Sequence, residues 1–374
     1  MTGRRTTLRR VRSLVLVPAL SMLLAFLVGA IFLILSSPLI NGSLDLLLPV
    51  RAYAVLFSGA FGSGQAIVNT LVNATPLILA GFAVGIGFRA GLFNIGADGQ
   101  FKVGALTCTM VALALNDASP AVAIPLSIVA GMAGGLLYGM IPGLLKAFRG
   151  AHEVVVTIML NYVATFILSY VINGPLRGEN VTYARTDDIV AARLPIILGD
   201  TGHLGILFAA ISVPIVWWFL FRSTIGFEVR TTGANSEAAR YAGMNPRWLI
   251  VFTMSLCGLF AGLAGGTEIL GKLGYLPAAY STTVGFTAIA VALLGRAHPV
   301  GILLSGLLFG AMQTGGLAMQ AQIGVPFQFI MFLQAIILFF LTAEVLVRRI
   351  FRVRQAASGL GDVSGLSETY ASRP

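Results

Sequence analysis

The 374-residue chain is 57% hydrophobic and only 10% charged, with a mean hydropathy of +0.90. Soluble proteins carry about 25% charged residues, so these figures exclude a water-soluble globular domain and point to an integral membrane protein with many spans. The formal charge of +10 would suggest nucleic acid in a soluble chain; here it reads as basic loops and tails on the inner side of a membrane.

The first 13 residues hold five arginines and lead into an apolar run, Leu14–Leu35. A basic flank before an apolar run mimics a signal peptide. This run is too long for one, and many spans follow, so it reads as a retained first helix with its N-terminus inside. Residues 37–64 are mixed and read as an outer segment with a short interfacial piece. Spans are expected at Gln65–Phe88, Leu92–Leu115, Pro120–Leu145 and Val154–Ile172. In the fourth span, Gly131, Gly135, Gly139 and Gly143 make a bare stripe that suits close backbone packing. An outer polar stretch, 173–201, precedes a sixth span, Leu204–Phe221, with Trp217 and Trp218 as interface anchors. After a polar loop at 222–247, Trp248–Leu270 repeats the glycine spacing at Gly258, Gly262 and Gly266. Gly271–Thr283 is a glycine-broken region. Val284–Leu294 is short for a crossing and reads as a half-helix or re-entrant piece. Val300–Met319 and Pro326–Val347 complete ten spans. The expected fold is an all-α polytopic membrane protein of about ten helices, with an inverted repeat (65–172 against 248–347) and broken helices near the centre. Its parts are a basic cytoplasmic tail at 1–13, a transmembrane domain at 14–350 with a loop at 222–247, and a disordered cytoplasmic tail at 351–374.

Gly85–Lys102 stands out within this apolar chain. It reads GIGFRAGLFNIGADGQFK, with five glycines and with Arg89, Asn94, Asp98, Gln100 and Lys102. Irregular backbone at membrane depth must be buried in protein or line a wet cavity, and ionisable groups there face a bundle interior or a pathway. A glycine-broken polar segment is therefore the best sequence pointer to a transport site. The competing reading is a turn between two helices followed by a snorkelling Lys102. Asn161, in the middle of the fifth span, either faces the same cavity as Asn94 or bonds a neighbouring helix.

Charge placement sets the orientation. The segments 1–13, 146–153, 222–247 and 348–374 hold 16 of the 24 Lys and Arg residues, which puts both termini on the inner side of the membrane. The two cysteines, Cys108 and Cys257, lie in apolar runs, and His152, His203 and His298 are scattered; neither set suits a metal or a disulfide. GTEILGKL (266–273) matches GxxxxGK, but Leu273 stands where Ser or Thr should hold Mg²⁺, and the run follows an apolar helix. The chain therefore has no ATPase site and binds no cofactor of its own; any ATP hydrolysis belongs to another chain.

The loop 222–247 shows where such a chain could dock. Asn235 or Ser236 can cap a helix, Glu237 suits its first turn and Gly243 can end it, with Pro246 blocking continuation. A helix of about two turns cannot stand alone in water. Ala238, Ala239 and Tyr241 offer small and aromatic contacts, and Arg240 suits a carboxylate. Either it meets a partner or it lies on its own bundle.

Three ordered stretches carry a family resemblance: GFRAGLFNIGADGQ (87–100), GANSEAARYAG (233–243) and GFTAIAVALLGRAHPVG (285–301). The chain resembles permease subunits of bacterial ABC importers of the ribose, simple-sugar and branched-chain class over about residues 14–350. Within that class it resembles nucleoside importers that work with basic-membrane-lipoprotein-type binding proteins. The resemblance implies that 233–246 is a coupling helix seated in a cytoplasmic ATP-binding cassette ATPase, which uses Mg-ATP. It also implies an outer substrate-binding lipoprotein and a second, shorter permease chain, giving a heterodimer. Some members carry Asp-Gly where Thr287 and Ala288 stand here. On this reading the solute passes Phe93, Asn94, Asp98, Gln100, Asn161 and Phe286. The amides donate and accept, a phenyl ring stacks on a base, and Asp98 either takes ribose hydroxyls or pairs with Lys102 at i,i+4. The rival is an ion- or proton-coupled carrier of a small polar solute, which has no use for a capped inner helix.

Overall fold

The computed structural model describes residues 2–179, 181–280 and 283–343. The expected tail at 351–374 and the end of the tenth span lie outside the described residues. The chain forms two units, Met1–Arg51 with Gln328–Pro374, and Ala52–Phe327. In the first, α1 (Thr2–Asn41) packs along α13 (Gln328–Thr342). Phe32 meets the rings of Phe329 and Phe332, with centroids 6.2 and 4.4 Å away, and the Ser21 hydroxyl donates to the Phe340 carbonyl.

The helices between them are α2 (Leu48–Phe61), α3 (Gly64–Arg89), α4 (Ala97–Ala114), α5 (Pro120–Arg149) and α6 (Glu153–Asn173). A small hairpin, β1 (Ile196–Leu198) and β2 (Gly202–His203), precedes α7 (Gly205–Arg222), α8 (Thr224–Ala234) and α9 (Ser236–Tyr241). Then come α10 (Pro246–Glu268), a π turn (Ile269–Leu273), α11 (Val284–Leu294) and α12 (Pro299–Ile323). Among the described residues, seven helices are long and apolar enough to cross a membrane: α1, α3, α5, α6, α7, α10 with its π turn, and α12. α2, α11 and α13 are shorter apolar helices.

Local chemistry sets the ends. The Ser63 hydroxyl accepts from Ala66 N–H and starts α3; Asn245 does the same for α10, with Pro246 at its first position. Gly150, in the left-handed region at φ 65°, stops α5. α3 is the central element of the larger unit and is buried almost continuously from Val72 to Gly87.

The glycine stripes are packing seams. A Cβ on Gly135 would lie 2.2 Å from the Gly258 carbonyl oxygen, and one on Gly262 would lie 2.2 Å from that of Gly131. α5 and α10 thus cross with their backbones in contact, which only bare faces permit.

Within residues 37–64 the short piece is α2, an apolar helix of 14 residues. Two expectations need correction. The third span begins at Ala97, not Leu92, because the turn at Gly91 (φ 69°) and the folded-back stretch after it delay helix formation. The loop 222–247 holds a second helix, α8, capped by Ser223, whose hydroxyl accepts from Gly226 N–H.

Candidate functional site

The broken segment lies between the ends of α3 and α4. Ala90 and Leu92 both donate to the Gly87 carbonyl, at 2.9 Å each, and Gly91 turns the chain back into the protein. Every polar side chain there then finds a partner. Asn94 and Gln100 exchange both amide bonds, at 2.9 and 3.2 Å. Asn161 donates to the Ile95 carbonyl (3.0 Å) and accepts from Gly99 N–H (2.8 Å), so it braces the break from α6. Lys102 reaches Asp98 at 2.7 Å and the Thr165 hydroxyl at 3.0 Å. Thr165 is twelve residues past Glu153, or about 18 Å along α6, near the middle of a hydrocarbon core about 30 Å thick.

Asn94, Asp98, Gln100 and Asn161 are therefore together and buried, with their polar groups turned on one another. Of the two readings of Asn161, the structure has the neighbouring-segment bond; of those for Asp98, it has the pairing with Lys102. Phe93 and Phe286 carry exposed rings, and Phe93 lies 5.1 Å from the Phe88 ring.

A second break follows the π turn, where Gly274 is left-handed (φ 80°). It is stitched to the polar stretch 173–201: Thr186 N–H donates to Leu276 O (3.0 Å), Ile189 N–H to Gly274 O (2.8 Å) and Ala278 N–H to Ala184 O (2.9 Å). Arg185 lies over the Tyr275 ring at 4.4 Å. The chain then turns into α11, whose second residue, Gly285, rests on Asp98. Two helix N-termini thus meet at the buried Asp98–Lys102 pair. Positive helix ends there favour a carboxylate.

On the basic-loop side, Asn235 caps α9 by accepting from Ala238 N–H (3.0 Å), and Gly243 (φ 85°) ends it. Ser236 makes no capping bond. Ala239 is fully buried, whereas Glu237, Ala238, Arg240 and Tyr241 are exposed, Tyr241 by 87%. α8 ties this projecting turn to the first break, because Gly233 backs directly onto Arg89–Gly91. Below it Ala90, Leu92, Val229, Leu249 and Met254 form one apolar cluster. Arg89 also donates to Ala297 O (2.8 Å) and Arg296 O (3.3 Å). It thereby holds two consecutive non-glycine residues in the left-handed region, at φ 50° and 52°, a costly conformation that needs such support.

Sequence reasoning missed a cavity of about 630 Å³ at the opposite end of α3. Asn69, Asn73, Thr201 and Thr314 supply its neutral polar lining, and Arg193, Asp200 and Lys272 its charged lining. The signal was present: Asn69 and Asn73 are four apart in an otherwise apolar span and so share a face. Beside the cavity, burial and then the charges of Lys272 and Arg193 lower the His203 pKa to about 4, so His203 is neutral and accepts from Gly205 N–H.

Residues 66–342 match the family model described as branched-chain amino acid transport system / permease component. The guanosine ABC transporter permease protein NupP of Bacillus subtilis (strain 168) is 37% identical over 338 residues, covering 89% of this chain and 94% of that protein. The glucose ABC transporter permease protein TsgB13 of Haloferax volcanii is 38% identical over 87% of each chain. The nucleoside ABC transporter permease protein NupB of Lactococcus lactis subsp. cremoris is 32% identical over 89% of this chain and 92% of its own. No solved structure matches the chain.

Proposed function

The chain belongs to the branched-chain amino acid transport system / permease component family, and from that premise we propose that it is a membrane permease subunit of an ABC importer carrying a nucleoside inward. The observation that carries the solute class is the 37% identity to a guanosine permease over nearly the whole of both chains. A free sugar is the second reading, favoured by the similarly extensive match to a glucose permease.

The chain is a gate with no ATPase site. Mg-ATP is used by cassette subunits on separate chains, which grip the exposed face of α9. A lipoprotein delivers the solute on the other side, and a second, shorter permease chain completes a heterodimer. The chain crosses a bacterial plasma membrane ten times, with the seven long helices joined by α4, α11 and α13, and both termini are cytoplasmic. The distribution of basic residues supports that orientation.

An inverted repeat relates α3–α4–α5 to α10–α11–α12. Crosswise packing supports it: α4 and α5 lie on α10, while α11 and α12 lie on α3. Broken helices at matching positions are a common transporter plan. In the working cycle, closure of the ATPases moves α9 and α8, and Gly233 carries the motion to Gly91. The crossing of α4 and α11 opens, the Asn94–Gln100 pair parts, and solute passes Phe93, Asn94, Asp98, Gln100, Asn161 and Phe286.

Reconstitution tests the reading. Vesicles holding the complete importer should take up guanosine only with ATP and loaded binding protein. Vesicles with this chain alone should accumulate nothing; uphill uptake by the lone chain would instead establish an ion-coupled carrier.

A further inference from the structure

The cavity at the far end of α3 has a composition that the broken segment lacks: polar groups with unspent bonding capacity. Asn73 is clamped, its Oδ1 accepting from Lys272 Nζ and its Nδ2 donating to the Thr314 hydroxyl, both at 2.9 Å. One of its two amide hydrogens remains. Asn69 Oδ1 accepts from Gln65 Nε2 (3.2 Å) and from the Thr201 hydroxyl (2.6 Å), while its Nδ2 bonds no other described residue. Lys272 spends two of its three hydrogens, on Asn73 and on Glu268 at 3.2 Å. Asp200 adds a carboxylate at the wall, and Val72, Leu194, Ile196 and Leu317 add apolar surface.

Asn73 and Thr314 are themselves more than nine-tenths buried, so the floor is fixed and not a flexible surface. The π turn places Lys272 there; such turns recur at functional sites because they re-aim a side chain within a helix. Formal charge is balanced. Lys272 is paired with Glu268 behind the wall, which leaves Arg193 and Asp200 as one charge of each sign on the lining.

We propose that this cavity is a receiving site for a neutral solute bearing neighbouring hydroxyls, occupied before the solute reaches the crossing of α4 and α11. The Asn69, Asn73 and Lys272 hydrogens meet hydroxyl oxygens, and the Asp200 carboxylate accepts hydroxyl hydrogens. The balanced charge disfavours anions and cations alike, and the apolar wall takes the flat or carbon face of the solute. A volume of about 630 Å³ lies within the roughly 300–1,000 Å³ of small-molecule sites. The chemistry is shared by a ribose in a nucleoside and by a free sugar. This inference rests on the importer reading and adds a site to it.

The test uses the complete importer in vesicles, with guanosine uptake and ATP hydrolysis read together. Asn69→Ala and Asp200→Asn should each raise the KM for guanosine about five- to tenfold, as expected for one lost hydrogen bond, with maximal uptake and basal ATP hydrolysis unchanged. Leu317→Trp, at an exposed lining position, should fill the cavity and cut uptake while hydrolysis persists. Guanosine should be competed by a hydroxyl-bearing ligand and not by guanine, which has no hydroxyl; adding glucose as a second competitor tells the two hydroxyl sources apart. Uptake within twofold of wild type in all three variants overturns the site, as does competition by guanine equal to that by guanosine. If the unaltered importer takes up nothing, the importer reading fails and not the site alone.

Discussion

Asp98, the second residue of α4, lies directly beneath Gly285, the second residue of α11; a Cβ on Gly285 would stand 2.3 Å from the Asp98 Cα. The two broken helices therefore touch backbone to backbone, and no side chain fits between them. Gly285→Val should force α4 and α11 apart. Overpacking of this kind costs about 1–3 kcal/mol. The variant should melt below wild type in detergent and lose uptake more than tenfold, while Gly64→Ala, at a position open to space and without a positive φ, should keep uptake.

The Asp98–Lys102 pair calls for paired substitutions. Removing one partner strands a charge in a buried site, at about 3–5 kcal/mol, whereas replacing both with apolar residues of similar size is often neutral. Asp98→Asn or Lys102→Met alone should reduce folded yield. The double variant Asp98→Leu with Lys102→Met should recover it. Uptake by that folded double variant separates the two roles: preserved uptake leaves the pair purely structural, and lost uptake keeps Asp98 on the solute path.

Much of the helix arrangement was legible because apolar length and glycine spacing are local signals. Val284–Leu294 appears as a short helix with those ends, and the Gly131 and Gly258 rows meet. What the sequence could not disclose was how polar groups partner at long range. Asn161 with Gly99, 62 positions apart, is one such pair, and even Asn94 with Gln100, six apart, meets only because the chain folds back at Gly91. Asn73 with Thr314 is separated by 241 positions, so the cavity they floor had no sequence signature beyond two asparagines on one helix face. α8 escaped notice because the run Thr224–Ala234 is largely polar and its short apolar face, Ile225 and Val229, is stabilised by packing against Ala90, Leu92, Leu249 and Met254 from distant parts of the chain.

His203 gives a pH dependence. Burial first, and then Lys272 and Arg193, hold its pKa at about 4, against about 6.5 in an unfolded chain. The unfolded state thus gains a proton at higher pH than the folded state. Stability from this site is fully present above about pH 6.5 and is lost as pH falls through about 4, with a ceiling near 3 kcal/mol. His203→Asn, which keeps an acceptor for Gly205 N–H, should flatten that decline. Melting temperatures in nanodiscs at pH 4.5 and 7.5 check it; equal pH slopes in both proteins would show that His203 carries none of the effect.

Gly233 joins the projecting turn to the first break. A Cβ there would come 2.4 Å from the Arg89 carbonyl oxygen, and one on Gly91 would come 3.0 Å from that of Gly233. Between bare backbones there is no side chain to absorb a displacement, so movement of α8 must move residues 89–91. Gly91 is in addition left-handed at φ 69°, which penalises any side chain. Gly233→Val should therefore separate α8 from the break without touching the exposed face of α9. The expected outcome is a complex that still assembles with its ATPase and hydrolyses ATP, with guanosine moved per ATP falling at least tenfold. Tyr241→Ala, on the exposed face of α9, should instead weaken assembly and lower hydrolysis and uptake together. If Gly233→Val lowers both in proportion, the contact serves assembly and transmits no motion.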